Sequence, residues 1–298
     1  MLKVENVTKY YGSLKALDKL SFTVEQGDIF GLLGVNGAGK TTAFRIIMGL
    51  LEYNGGTVTL DDRIIDYNIT DEIGFLTEER SLLIKLSVLE QAKYYGVLKG
   101  MSEKQAEEAL DYWLERFGIS EYKNRKIKEL SKGNQQKIQF IMAILNNPKL
   151  LILDEPFAGL DPVNVEMFKE VIKEFEKKGA MIIFSSHRME HIELFCDKIV
   201  ILVKGKTVLE GSLKDIKQRF RKKNIRINAD VEEERLKKIE GVINVIKIGN
   251  EYEVKIKEQK YAEAVFKYVL TCSNVVKFMI EEPTLNEIFV ARVGESYE

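Results

Sequence analysis

The sequence predicts an α/β domain on a parallel sheet, followed by a small α+β domain of ferredoxin-like pattern. Three observations lead there. The apolar runs Leu150 to Leu153, Met181 to Phe184 and Ile199 to Val203 alternate with helical stretches, the pattern of strands buried on both faces. A glycine-rich segment joins the apolar Ile29 to Leu33 directly to a helix. Beyond a basic stretch, short strands and helices alternate again. The chain has 298 residues, which at roughly 100–200 residues per domain gives two domains. Lys and Arg total 45 against 46 Asp and Glu, so a net charge of -1 offers no electrostatic case for nucleic acid. A charged fraction of 31% with 45% hydrophobic residues is that of a soluble globular chain. The 2 cysteines, Cys196 and Cys272, lack disulfide-framework or zinc spacing and suit a reducing cytoplasm. The longest apolar run, Phe140 to Leu145, is far short of the roughly 20 residues of a membrane helix. The N-terminus carries no secretory pattern.

In chain order, Leu2 to Val7, Leu20 to Val24, Ile29 to Leu33 and Thr57 to Leu60 read as strands between polar turns, and Thr41 to Leu50 as a helix. A capping box between Ser102 and Gln105 opens a helix through Ala106, Leu110, Trp113 and Phe117, which Gly118 ends. Asp161 caps another, with Pro162 in its first turn and Gly179 at its end. The basic run Lys214 to Arg226 lacks a core stripe and places the domain boundary near 222, giving domains 1–222 and 223–298. That run reads as a solvated linker, with anionic lipid headgroups as the alternative. The second domain follows as a strand at Ile225 to Asn228 and a helix at Glu232 to Ile239, then strands at Val242 to Ile248 and Glu251 to Lys257. A helix with Ala262, Val265, Phe266 and Val269 on one face, a strand at Val275 to Ile280 and a helix after Pro283 complete it.

Gly34-Val35-Asn36-Gly37-Ala38-Gly39-Lys40-Thr41-Thr42, between strand and helix, matches the phosphate-loop pattern. Glycines let backbone N–H groups turn inward as an anion nest, the helix presents its positive end, and Lys40 reaches the outer phosphates. The Thr41 hydroxyl is a Mg²⁺ ligand candidate. Leu150-Leu151-Ile152-Leu153-Asp154-Glu155 is an apolar strand ending in two carboxylates, like a Walker B segment. Asp154 suits the Mg²⁺ shell, and Glu155 suits orienting or deprotonating the attacking water. Together they predict a nucleotide hydrolase rather than a passive binder.

Leu130-Ser131-Lys132-Gly133-Asn134-Gln135-Gln136 resembles the signature of ABC ATPases, and with the other motifs the chain resembles the ATP-binding subunit of ABC transporters. The resemblance implies a P-loop NTPase fold with a helical subdomain. It also implies that Ser131, Gly133 and Asn134 touch the γ-phosphate of ATP held by a partner subunit, in a homodimer or heterodimer. The same residues would also cap an ordinary helix. By the same resemblance Tyr11 stacks on adenine, with Tyr10 its neighbouring competitor, and Asp161 belongs to a D-loop across the dimer interface. His187 is the switch histidine, while His191 reads as an ordinary helix residue. Two departures stand out. Glu78 replaces the usual Gln that contacts Mg²⁺ and water, and is either a hard oxygen ligand or a solvated acid. Lys132 and Asn134 replace signature residues. Glu282-Pro283-Thr284-Leu285-Asn286-Glu287-Ile288-Phe289 resembles the ending of ABC-2 type ATPases, similar to sodium-extruding and drug-exporting systems.

The resemblance implies ATP and Mg²⁺ at the site, an integral membrane permease as partner, no nucleic acid, and a place at the cytoplasmic face of the membrane. Export is the direction it suggests. The segment after Glu78, through Arg80, Leu82, Leu83 and Leu86, is where the family docks the permease, and its leucines could equally be core. The alternative is a soluble ABC ATPase acting on ribosome or DNA. A regulatory sensor or dimer clamp is a further reading of the second domain.

Overall fold

The computed structural model describes residues 1–79, 81–220 and 223–295, and the chain divides into two compact units, Met1–Glu210 and Gly211–Glu298. The boundary expected near residue 222 falls on residues outside the described set, while the division lies between 210 and 211. Arg80 also lies outside it.

Unit 1 opens with β1 (Leu2–Tyr11) and β2 (Leu14–Val24), which extend beyond the segments read from sequence because Gly12, at φ +58°, lets the chain reverse between them. After β3 (Ile29–Gly34) and α1 (Lys40–Ile47) come β4 (Gly55–Leu60) and the short β5 (Arg63–Ile64). β2, β1, β4 and β5 form an antiparallel sheet in that order. Next are β6 (Ile73–Leu76), α2 (Val88–Leu98), α3 (Glu103–Arg116), α4 (Lys132–Ile144) and β7 (Leu150–Asp154). α5 (Pro162–Lys177), β8 (Met181–Ser185), α6 (Met189–Phe195), β9 (Lys198–Val203) and β10 (Lys206–Ser212) follow.

The second sheet runs β10-β9-β3-β8-β7-β6, and β9, β3, β8, β7 and β6 pair in parallel. Every residue of β7 and β8 is buried, so these strands are covered on both faces and read as unbroken apolar runs rather than alternating ones. The helices bury one stripe each: in α5, Phe168, Val171, Ile172 and Phe175 recur at helical spacing and are buried. The Ser102 capping box forms, its hydroxyl accepting from Gln105 N–H and the Gln105 side chain accepting from Ser102 N–H.

Unit 2 contains α7 (Leu213–Arg219), β11 (Lys223–Asp230), α8 (Glu233–Lys237), β12 (Val242–Ile248), β13 (Glu251–Ile256), α9 (Ala262–Val269), β14 (Ser273–Glu281) and α10 (Leu285–Glu295). From β11 to β14 the order is βαββαβ, and the antiparallel sheet β12-β13-β11-β14 has the ferredoxin-like arrangement. Its core is Ile225, Ile227, Leu236, Val254, Ile256, Val265 and Val269. Phe266, expected on the buried face of α9, is instead 41% exposed and rests its ring on Phe278 at 4.9 Å.

Candidate functional site

Parallel pairing sends the carboxyl ends of neighbouring strands to one edge of the sheet, where open α/β sheets bind ligands. The sheet order places β3, β8, β7 and β6 side by side. The loops leaving those four strands carry the glycine loop, His187, the Asp154 and Glu155 pair, and Glu78. Strands about 4.8 Å apart bring these sequence-distant groups into one row. They line a pocket of about 800 Å³ that includes Asn36 to Thr42, Glu78, Asp154, Glu155 and His187.

The glycine loop has little tolerance for side chains. A Cβ on Gly34 would lie 2.6 Å from the Leu202 carbonyl oxygen, and one on Gly39, already at φ +110°, would lie 2.7 Å from that of Ala16. Lys40 Nζ donates to the Gly34 carbonyl at 2.6 Å and to that of Val35 at 3.4 Å, which holds the ammonium in the mouth of the loop. Burial pulls this ammonium below its usual range, against the opposing fields of Asp154, Glu155 and Glu78.

Asp154 and Glu155 are 8% exposed each. Burial holds the Asp154 carboxyl above its usual range, opposed by the Ser185 hydroxyl that donates to it and reinforced by Glu78. Glu155 stands in the left-handed region at φ +50°, a conformation that costs a residue with a Cβ about 1–2 kcal/mol. Three contacts hold it there. The His187 backbone N–H donates to Oε1, the Ser186 hydroxyl donates to Oε2 at 3.2 Å, and His187 Nδ1 lies 2.9 Å from Oε2. The His187 side chain is itself 73% exposed and stays accessible from the pocket. His191 points elsewhere, edge-on to Phe157 at 4.9 Å.

Of the paired tyrosines, Tyr11 lines the pocket and Tyr10 does not. Ser131, Gly133, Asn134 and Asp161 lie outside the pocket lining. Ser131 and Asp161 instead cap α4 and α5, accepting from the backbone N–H of Asn134 at 3.3 Å and Asn164 at 3.0 Å. Among the described residues a Cβ on Gly133 would meet nothing within 4 Å. Leu82 is buried whereas Leu83 and Ile84 are 42% and 56% exposed.

Sequence reasoning missed Lys15, Ala16, Lys204 and Gly205, which also line the pocket, and Ser185 beneath Asp154. Gly205 N–H donates to the Ala38 carbonyl at 3.0 Å and so braces the glycine loop from the β9–β10 turn. The glycines at 205 and 39 both abut Ala16 backbone, a packing signal absent from any local motif.

The donor set fits Mg²⁺. Thr41, Asp154 and Glu78 offer hard oxygens to one pocket, where the field of Lys40 favours the charged form of the buried Asp154 carboxyl. Among the described residues no three His, Cys, Asp or Glu side chains cluster to hold an ion by themselves. That suits a metal held by one or two carboxylates together with substrate phosphates.

The ABC transporter family profile matches residues 17–158, and that of the ATP-binding protein DrrA1-3-like C-terminal domain matches residues 211–293. The chain is 46% identical over 298 residues to the ABC transporter ATP-binding protein YhaQ of Bacillus subtilis, covering 100% of each. It is 30% identical to the linearmycin resistance ATP-binding protein LnrL of the same organism, over 99% of each. Among solved structures, an ATP-binding subunit of an ABC transporter superposes with TM-score 0.70 and 31% identity, covering 74% of this chain and 93% of that one. A dimeric post-hydrolysis state of the cassette MJ0796, bound to ADP and Pi, superposes with TM-score 0.65 and 26% identity, covering 72% and 99%.

Proposed function

Because this chain belongs to the ATP-binding subunits of ABC transporters, we propose that its pocket holds MgATP through Gly34 to Thr42 and that Glu155 activates the attacking water. The chain is an ATPase that energises transport, and the roles of individual residues are our reading of the pocket. One observation carries it: Lys40, Glu78 and the Asp154–Glu155 pair, far apart in sequence, converge on a single cavity at the carboxyl ends of parallel strands.

Backbone N–H groups of the loop and the N-terminus of α1 cradle the phosphates, and Lys40 exchanges its two carbonyl partners for phosphate oxygens. Tyr11 stacks on the adenine. Thr41, Asp154 and Glu78 would hold Mg²⁺, which would supply neutralisation of charge on the phosphates. Glu155, gripped by Ser186 and His187, accepts a proton from water as the water oxygen bonds to the γ-phosphorus and the bond to the β–γ bridging oxygen breaks. His187 contacts the γ-phosphate.

Ser131, Gly133, Asn134 and Asp161 serve the site of a second ATPase subunit. In support, they lie outside the pocket of their own chain, and among the described residues nothing comes within 4 Å of a Cβ placed on Gly133. No helix among the described residues is long and apolar enough to cross a membrane. We therefore assign the membrane path to a separate permease, engaged from the cytoplasmic side, with the exposed Leu83 and Ile84 beside its docking site. The linearmycin resistance relative favours export.

The decisive experiment is Glu155→Gln. MgATP turnover should fall by about a hundredfold or more while MgATP binding is retained and an ATP-bound dimer accumulates on size exclusion. Undiminished hydrolysis would remove Glu155 from the mechanism.

A further inference from the structure

Gln139 sits on α4, 3% exposed, with its amide turned toward the strand-to-loop segment that carries Glu78. Its Nε2 donates to the Thr77 carbonyl at 3.0 Å and the Glu79 carbonyl at 3.0 Å, and contacts the Thr77 hydroxyl at 3.1 Å. The Thr77 hydroxyl in turn donates to the Glu79 carbonyl. The amide orientation is fixed by chemistry, since the reverse would set its oxygen against two backbone carbonyls. Thus one buried amide grips the chain on both sides of Glu78.

The grip has a cost. Among the described residues Gln139 Oε1 is buried without a partner, and an unmet buried acceptor destabilises the fold. An apolar side chain would avoid that penalty but would take away the donor that the Thr77 and Glu79 carbonyls accept from. One turn earlier on the same face, Gln136 Nε2 reaches the Pro156 carbonyl at 3.4 Å, next to Glu155. Gln139 lies eight positions beyond Ser131, about 12 Å along the helix at 1.5 Å per residue. Helix α4 therefore begins at the signature and, just over two turns later, meets backbone flanking the pocket acids.

We infer that Gln139 is a positioning residue for hydrolysis: it fixes the backbone on either side of Glu78 and so aims that carboxylate into the nucleotide pocket, tying its placement to helix α4. The inference rests on the reading of Glu78 given above. Gln139 is not among the residues lining the pocket, so its effect should fall on turnover rather than on binding.

The test is a double-mutant cycle on the full chain, with steady-state MgATP hydrolysis and thermal unfolding of every variant. Gln139→Met keeps the length and removes the amide. It should lower kcat about tenfold, as loss of a supporting partner does, with KM for MgATP within about twofold. In the Glu78→Ala chain the same change should alter kcat by less than about twofold. Thr77→Val, which removes the hydroxyl from the other side, should act in the same direction and serves if Gln139→Met fails to fold. Equal losses in both backgrounds, or a raised KM at unchanged kcat, would overturn the positioning role. Turnover unchanged by Glu78→Ala alone would overturn the reading of Glu78 and the inference with it, whereas a loss there with additive effects overturns the inference only.

Discussion

Asp154 sits under two opposed demands, a carboxylate proposed to hold a cation and a burial that disfavours its charge. Its folded carboxyl titrates above the ordinary value of 3.8, because burial outweighs the Ser185 hydroxyl and Glu78 adds to it. Between 3.8 and the raised value the folded chain holds the extra proton, so this group's contribution to stability falls as pH rises through that interval. Above it the ionised form costs in full. Asp154→Asn removes the charge but keeps an oxygen for Ser185. The nucleotide-free variant should therefore melt above wild type at neutral pH, with the gap closing as pH falls toward 3.8, while its affinity for MgATP drops. Melting curves of both chains across pH decide it, and a gap independent of pH would count against this account. The same residue shows why local motifs reach only so far. Asp154 was legible from its place after four apolar residues, but Ser185 was not, since its contact depends on β7 and β8 being neighbours.

At the scale of the element, two serines make the same cap with different consequences. Ser102 and Ser131 each accept from a backbone N–H three residues on, at 3.2 Å and 3.3 Å. Replacing either by Ala should cost about 1 kcal/mol, a fall of roughly 2–4 °C in melting temperature for a domain of this size. Only Ser131→Ala should also lower turnover, because it alone lies at the signature. Equal ATPase rates for the two variants would reduce Ser131 to a cap. Helices with a cap and a long apolar stripe, such as α3 and α5, were legible for this reason: their signals are local. β5 and α6, short at 2 and 7 residues, carry too little periodicity to stand out. Phe266 followed the helical stripe in sequence, yet it lies at the margin of the α9 core, where only the Phe278 ring covers it.

At the scale of the whole molecule, the strands β1 to β10 and the pocket lining all precede residue 213. A chain ending at residue 222 should therefore keep wild-type affinity for MgATP, read by titration with a fluorescent nucleotide. Binding weakened more than about tenfold would show that the second unit shapes the pocket. Dimerisation of the same truncated chain under ATP, followed by light scattering, separates a clamp role for residues 223–298 from a sensor role.

The chemistry of this protein was written in short, contiguous strings. A glycine loop needs its residues adjacent because successive N–H groups must face one anion, and two acids at a strand end need only the strand before them. Family, reaction and both fold classes followed from such strings. What the tertiary structure alone decided was every contact that needs two strands or a strand and a helix to be neighbours. It selected Tyr11 over Tyr10 for the pocket, brought Glu78 beside Asp154, set Gly205 against the glycine loop and placed Gln139 across the segment around Glu78. Strand order is fixed by the packing of whole apolar faces, a property spread over the chain, and no window of a few residues contains it.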